Sequence, residues 1–186
     1  MRKHAHLPLA LALALLSMSQ TARSVDVSDA YISRSATEIR GQLGQYASPT
    51  IYVDQNACGE PSPNAMACSP TVISVGSQFL QDQESQYGNY VAKMVLAHEW
   101  GHTIQFSYNI DNGAPYNELQ ADCTGGSFVR YAKDNLRYAS FLSGAASSAR
   151  AAADYAEHGT PAQRDYYTRW GYANGVLNCF NRLPRV

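Results

Sequence analysis

Two histidines lie four residues apart in the stretch MVLAHEWGHTIQ, residues 94–105, and a glutamate directly follows the first of them. Four residues advance an α-helix by about 400°, so the imidazoles of His98 and His102 lie one turn apart, roughly 6 Å along the axis, and can both reach one zinc ion. Glu99 lies about 100° further round the helix, where it can take a proton from a water molecule beside the metal. This motif predicts a helix from Asn89 to about Tyr108 and zinc-dependent hydrolysis with Glu99 as the general base.

A second group of polar residues follows in the segment NELQADC. Asn117 is interpreted as the N-cap of a second helix, which places Glu118 and Asp122 one turn apart on it. The chain between His102 and Glu118 is long enough to turn round and lay this helix against the first. We therefore expect Glu118 to be the third metal ligand and Asp122 to accept the second N–H of a ligating histidine. The alternative is a solvent-facing acidic helix without a metal.

Three segments in this order, HEWGHTIQ, ELQADC and HGTPAQRDYYTRWGY, resemble the bacterial neutral zinc metallopeptidases over roughly residues 50–180. The resemblance implies an α+β zincin fold related to the gluzincins, in which a helix carrying HExxH packs on a second, ligand-bearing helix. It implies one Zn²⁺ ion held by His98, His102 and Glu118, with Glu99 as the base. The family's members are usually longer, and here the segment between Cys123 and His158 is short and rich in alanine.

The third segment carries a further candidate catalytic residue, His158. A capping pattern follows it, with Thr160 as N-cap, Gln163 as its partner and Pro161 at the first helical position, which predicts a helix ending before Gly175. In sites that resemble those of gluzincins, a histidine or tyrosine often donates a hydrogen bond to the oxyanion, and His158 or Tyr155 is the candidate here. In the alternative interpretation, His158 and Arg164 only stabilise a loop.

Residues 1–24 are predicted to be a secretory signal peptide that is cleaved after Ser24. Basic residues begin the chain, and the apolar run from Leu7 to Leu16 is shorter than the ~20 residues that a membrane span needs. An uncleaved anchor is the alternative. We expect a secreted or periplasmic protein without stable membrane association after cleavage. Removal of this segment leaves 11 of the 14 basic residues against 15 acidic ones, a net charge of −4, which argues against nucleic-acid binding.

The chain contains four cysteines, and export to an oxidising compartment favours disulfides among them. Cys58 and Cys68 bracket a loop rich in proline, glycine and asparagine, so the local pair is expected, which leaves Cys123 to pair with Cys179. A structural zinc site is disfavoured because the sequence has no C-x-x-C pair.

Residues 25–186 are predicted to form one zinc metallopeptidase domain, since 186 residues that are 45% hydrophobic suit a single core. Helical spacing predicts a helix over residues 28–45, and β-branched runs predict strands at 50–53 and 71–75. Gly125 and Gly126 are expected to let helices approach closely. The predicted function is hydrolysis of a peptide or protein substrate. A non-catalytic zinc-binding or interaction module and a zinc hydrolase of non-peptide amides stay open.

Overall fold

A computed structural model describes residues 24–59 and 64–186, and within them the fold is mixed α+β, as predicted. Residues 1–23 of the predicted signal peptide lie outside the described residues. None of the described helices is long and apolar enough to cross a membrane. The elements are α1 Asp29–Leu43, β1 Thr50–Val53, β2 Ala65–Ser69, β3 Val72–Val75, α2 Ser77–Tyr87, α3 Val91–Tyr108, α4 Tyr116–Asn135, α5 Leu142–Ala151, α6 Pro161–Asn174 and α7 Val176–Asn181.

The small sheet has the strand order β1-β3-β2, with β1 parallel and β2 antiparallel to β3. The predicted strands at 50–53 and 71–75 correspond to β1 and β3. Sequence analysis placed a loop where β2 lies, because proline, glycine and asparagine dominate the segment before it. The short strand AMACS alternates between partly buried and exposed positions, which is the pattern of an edge strand with one face on the protein. This edge strand packs against α3 and lies beside the predicted metal site.

Helix α3 forms the centre of the molecule, and 13 of its 18 residues are buried. A carboxylate from another helix caps its first turn, since Glu84 accepts hydrogen bonds from the backbone N–H groups of Tyr90 and Ala92. Lys93 on the same helix is buried and forms an ion pair with Glu38, with 2.7 Å between Nζ and Oε2. These contacts attach the first turn of α3 to α2 and α1.

Helix α4 lies against α3 on one side and α6 on the other. A Cβ atom on Gly125 would lie 3.0 Å from Met94 Sδ, and one on Gly126 would lie 1.9 Å from the carbonyl oxygen of Thr168. The predicted close helix packing at this glycine pair is therefore confirmed. Gly171 on α6 makes the reciprocal approach to Cys123, where an added Cβ would lie 1.9 Å from the carbonyl oxygen.

We expect Gly126→Ala to destabilise the protein by ~1–3 kcal/mol or more, because α4 and α6 must move apart to make room for a methyl group. Gly41→Ala is the matched control. Gly41 lies in α1, and a Cβ atom added there would lie 3.0 Å from the hydroxyl oxygen of Tyr131, at the end of a side chain that can move. There, alanine gains helix propensity instead. Chemical denaturation of the three proteins measures the difference, and equal stabilities would contradict the packing described here.

Both predicted disulfides are present, Cys58–Cys68 and Cys123–Cys179. The second one joins α4 to α7. Two disulfides indicate that the protein folds in an oxidising compartment.

The N-cap predicted from the sequence is correct for α6 and wrong for α4. Helix α6 has the predicted capping box of Thr160 and Gln163. The prediction that Asn117 caps α4 is wrong, because α4 begins at Tyr116 and its N-cap is Pro115, two residues earlier than predicted. The Asn117 side chain bonds the preceding loop instead, accepting from the backbone N–H of Asn112 at 2.8 Å. Because the loop folds back onto the start of the helix, the Asn117 side chain finds its hydrogen-bond partner there and does not cap the helix.

Candidate metal centre

His98, His102 and Glu118 converge at the contact between α3 and α4. The Nε2 atoms of the two histidines are 3.2 Å apart, and each lies 3.2–3.3 Å from a carboxylate oxygen of Glu118. One ligand atom from each residue lies within 4.8 Å of the others, so the three can hold one metal ion. Sequence analysis predicted this set, and the structure brings its three members together.

A buried ion pair between Asp122 and Arg164 contacts the Nδ1 side of the His98 ring. The Nδ1–H of His98 donates to Asp122, with 3.0 Å between Nδ1 and Oδ1, which leaves Nε2 as the nitrogen that faces the centre. Asp122 in turn accepts from Nε and Nη2 of Arg164, each at 2.7 Å. Arg164 also donates to the carbonyl oxygen of Ala152 at 2.9 Å. Arg164 therefore holds a loop, as one interpretation expected, and also orients Asp122, which sequence analysis did not foresee.

A second chain of hydrogen bonds orients His102. Its Nδ1 lies 2.8 Å from Oε1 of Gln105, whose Nε2 donates to Oε1 of Gln120. Gln120 then donates to the backbone oxygen of Cys179, next to the disulfide that joins α4 and α7. Gln105, the last residue of the stretch MVLAHEWGHTIQ, has no role in the prediction from the sequence. Its position three residues after His102 is the signal that predicts this contact, since side chains at i and i+3 meet on a helix.

The charges around the two imidazoles favour a cation at this centre. Burial alone would lower the pKa of His98, but its hydrogen bonds to Asp122 and Glu118 outweigh burial and raise that pKa to about 10. Burial would lower the pKa of His102 too, but the hydrogen bond to Glu118 and the negative charges of Glu99 and Glu118 together raise that pKa. Burial would raise the pKa of Glu118, yet the two histidines lower it well below the usual range. Protons or a metal cation satisfy such a site, and two imidazoles with one carboxylate are a ligand set that zinc accepts.

Glu99 lies beside this group but is not one of its three members. Its side chain is on α3, and the residue is only 8% exposed. One carboxylate oxygen, Oε2, accepts a hydrogen bond of 2.8 Å from the backbone N–H of Ala67 in β2. Glu99 is therefore a carboxylate on the cleft wall, outside the group of possible metal ligands.

His158 lies at the edge of the same centre, and its side chain is 38% exposed. Its Nε2 is 3.8 Å from Oε2 of Glu118, and its Nδ1 is 2.6 Å from Oδ2 of Asp154. Backbone and side-chain hydrogen bonds from His158 lower the pKa of Asp154, so that carboxylate stays charged and holds the imidazole. Tyr155, the other candidate, is 72% exposed and does not line the cleft.

A cleft of about 1010 Å³ contains the centre and runs along α3. One side of it is the edge strand β2, including Met66 and Ala67. The end near the start of α3 lies between α2 and α5 and is mainly apolar. Its lining there comprises Phe79, Gln83, Tyr87, Met94, Val95, Ser148, Ala149 and Ala152. The cleft therefore joins the polar centre to this mainly apolar part, the apolar recess.

Comparison with known proteins gives no family assignment: no family model, curated protein or solved structure matches the chain. The resemblance to the zinc metallopeptidases therefore depends on the three motifs, and the candidate function depends on the geometry of the site.

Proposed function

We propose that this protein is a secreted or periplasmic zinc-dependent peptidase with a zincin-type fold. The observation that carries the proposal is the position of Glu99, a buried carboxylate on the cleft wall next to the cluster of His98, His102 and Glu118. A site that only stores or structures a metal has no need for an additional carboxylate that is not a ligand. Hydrolysis needs one, because a water molecule must lose a proton as it attacks.

His98, His102 and Glu118 would hold the metal, since they combine the required donor atoms in one place. A zinc ion bound there would supply a Lewis acid, which would make water nucleophilic near neutral pH and polarise a substrate carbonyl. Asp122 and Gln105 keep the two imidazoles turned so that Nε2 faces the centre.

Glu99 takes the proton of the attacking water and passes it to the leaving amine. His158, whose Nε2 faces the centre, is the candidate donor to the oxygen that becomes negative during attack. Its Nδ1 is engaged by Asp154, so the imidazole presents Nε2 to the cleft in a fixed orientation. In this assignment one carboxylate moves the proton and one imidazole stabilises the developing charge.

The cleft favours peptides over small amides. An edge strand forms part of its wall, and extended peptides commonly lie along such edges. The apolar recess between α2 and α5, near Met94 and Val95, lies one helical turn before His98 and Glu99. We therefore propose substrates with a bulky apolar side chain next to the cleaved bond. The two disulfides fit an exported enzyme that acts on such substrates outside the cytoplasm.

Metal analysis of the purified mature protein, combined with digestion of an unfolded protein such as reduced casein, tests this function. We expect about one zinc per chain, cleavage that stops with a chelator and returns with zinc, and cut sites next to bulky apolar residues. One tightly held zinc without any cleavage would favour a non-catalytic zinc-binding module. Cleavage of small amides but of no peptide would favour a different zinc hydrolase.

A further inference from the structure

The outer edge of β2 directs a backbone donor at the proposed general base. In an antiparallel pair, successive residues of a strand turn their N–H and C=O groups alternately to the partner strand and away from it. The carbonyl of Asn64 accepts from the backbone N–H of Gly76, at 2.7 Å, on the β3 side. Ala67 is three residues further along and therefore faces the other way. Its N–H donates to Oε2 of Glu99 at 2.8 Å.

This donor is held in place by a covalent link. Cys68 follows Ala67 directly and forms the disulfide with Cys58, so the strand is attached to the segment that follows β1. At its other end, β2 is held by the bond between Asn64 and Gly76. The ladder between these points is short, and its register shifts between Ala67 and Ser69. The strand also pairs with β3 and packs against α3, and the disulfide adds a covalent constraint directly next to the Ala67 N–H.

We propose that the backbone N–H of Ala67 is the positioning group for Glu99, and that the Cys58–Cys68 disulfide maintains this contact. The effect on turnover rests on the proposed peptidase function, whereas the contact itself does not. A hydrogen bond to Oε2 restricts the rotation of the carboxylate and leaves Oε1 as the oxygen that can act as the base. Without that bond the carboxylate turns freely, and a base that is displaced by about an ångström loses much of its effectiveness.

Amide hydrogen exchange tests the contact without any substrate. In protein labelled with ¹⁵N-alanine, the Ala67 amide should exchange at least ~10-fold more slowly than an unprotected amide. Glu99→Ala should remove this protection because the acceptor is lost. Glu99→Gln is the matched control and should retain most of it, since the amide oxygen still accepts. Equal exchange in the wild type and Glu99→Ala would overturn the proposal, whether or not the protein is a peptidase.

The double variant Cys58→Ser and Cys68→Ser tests the disulfide separately. We expect Ala67 to lose protection while zinc content is unchanged, because the ligands lie on α3 and α4. The Cys123–Cys179 disulfide, which joins α4 to α7, stays intact in this variant. Unchanged protection of Ala67 would refute the role of the disulfide.

Kinetics with an unfolded protein substrate complete the test. Ala67→Pro deletes the N–H without removing a ladder bond, and proline is tolerated at such edge positions. We expect kcat to fall ~10-fold or more with KM and zinc content nearly unchanged, and Ala67→Gly, which keeps the N–H, should lose less of kcat than Ala67→Pro. A wild-type kcat in Ala67→Pro would overturn the positioning role. If the wild type cleaves nothing, the peptidase function fails, and the exchange data still decide the contact.

Discussion

Replacing Glu99 with glutamine is expected to reduce hydrolysis by at least ~10²-fold while the protein keeps its zinc. Glutamine has nearly the same shape and can still accept from the N–H of Ala67, but it cannot take a proton from water. The three residues that form the metal cluster are unchanged, so the affinity for zinc should stay within a few-fold of the wild type. Metal content and the rate of casein cleavage, measured on the same preparation, give both quantities.

Glu157→Gln is the control for this experiment, because Glu157 is exposed and does not line the cleft. It makes the same chemical change and should leave the rate of cleavage unchanged. A Glu99→Gln protein that cleaves at the wild-type rate would refute the proposed mechanism. Loss of zinc from it would show instead that Glu99 is a metal ligand.

The local geometry of the candidate site is predictable from the sequence because it follows from helical periodicity. The pairs His98 with His102 and Glu118 with Asp122 each lie one turn apart, so each pair had to share a face once its helix was identified. The glycine pair at Gly125 then indicated that this second helix packs closely on its neighbours, and the structure confirms that approach.

The partners that support the ligands were less predictable, because they meet across elements rather than along one helix. Arg164 on α6 reaches Asp122 on α4, and the sequence gives no spacing rule for such a pair. A buried carboxylate requires a compensating positive group, so the presence of a cation near Asp122 is predictable. Which residue supplies that cation is not. Strand β2 was missed for another reason: its residues, AMACS, include no β-branched side chain, and they stand next to residues that favour turns.

The most informative single substitution should be the one that removes the Glu118 carboxylate. Glu118→Ala leaves two histidines as protein ligands, so zinc affinity should fall further than the ~10–100-fold that is typical when a residue behind a ligand is removed. Hydrolysis should fall with it at limiting zinc. Competition with a fluorescent chelator measures the affinity of the variant against that of the wild type.

Asp122→Ala separates metal binding from folding. Asp122 orients His98 but does not reach the centre, so zinc affinity should fall only ~10–100-fold and excess zinc should restore occupancy. Its folding cost should be larger than that of Glu118→Ala, because the Asp122 carboxylate is buried against Arg164 and its removal leaves that guanidinium charge unpaired, typically a loss of ~3–5 kcal/mol. The two variants should therefore rank in opposite order in zinc titration and in urea denaturation. The same order in both experiments would mean that one residue performs both tasks and that the assignment of ligand and supporting partner is wrong.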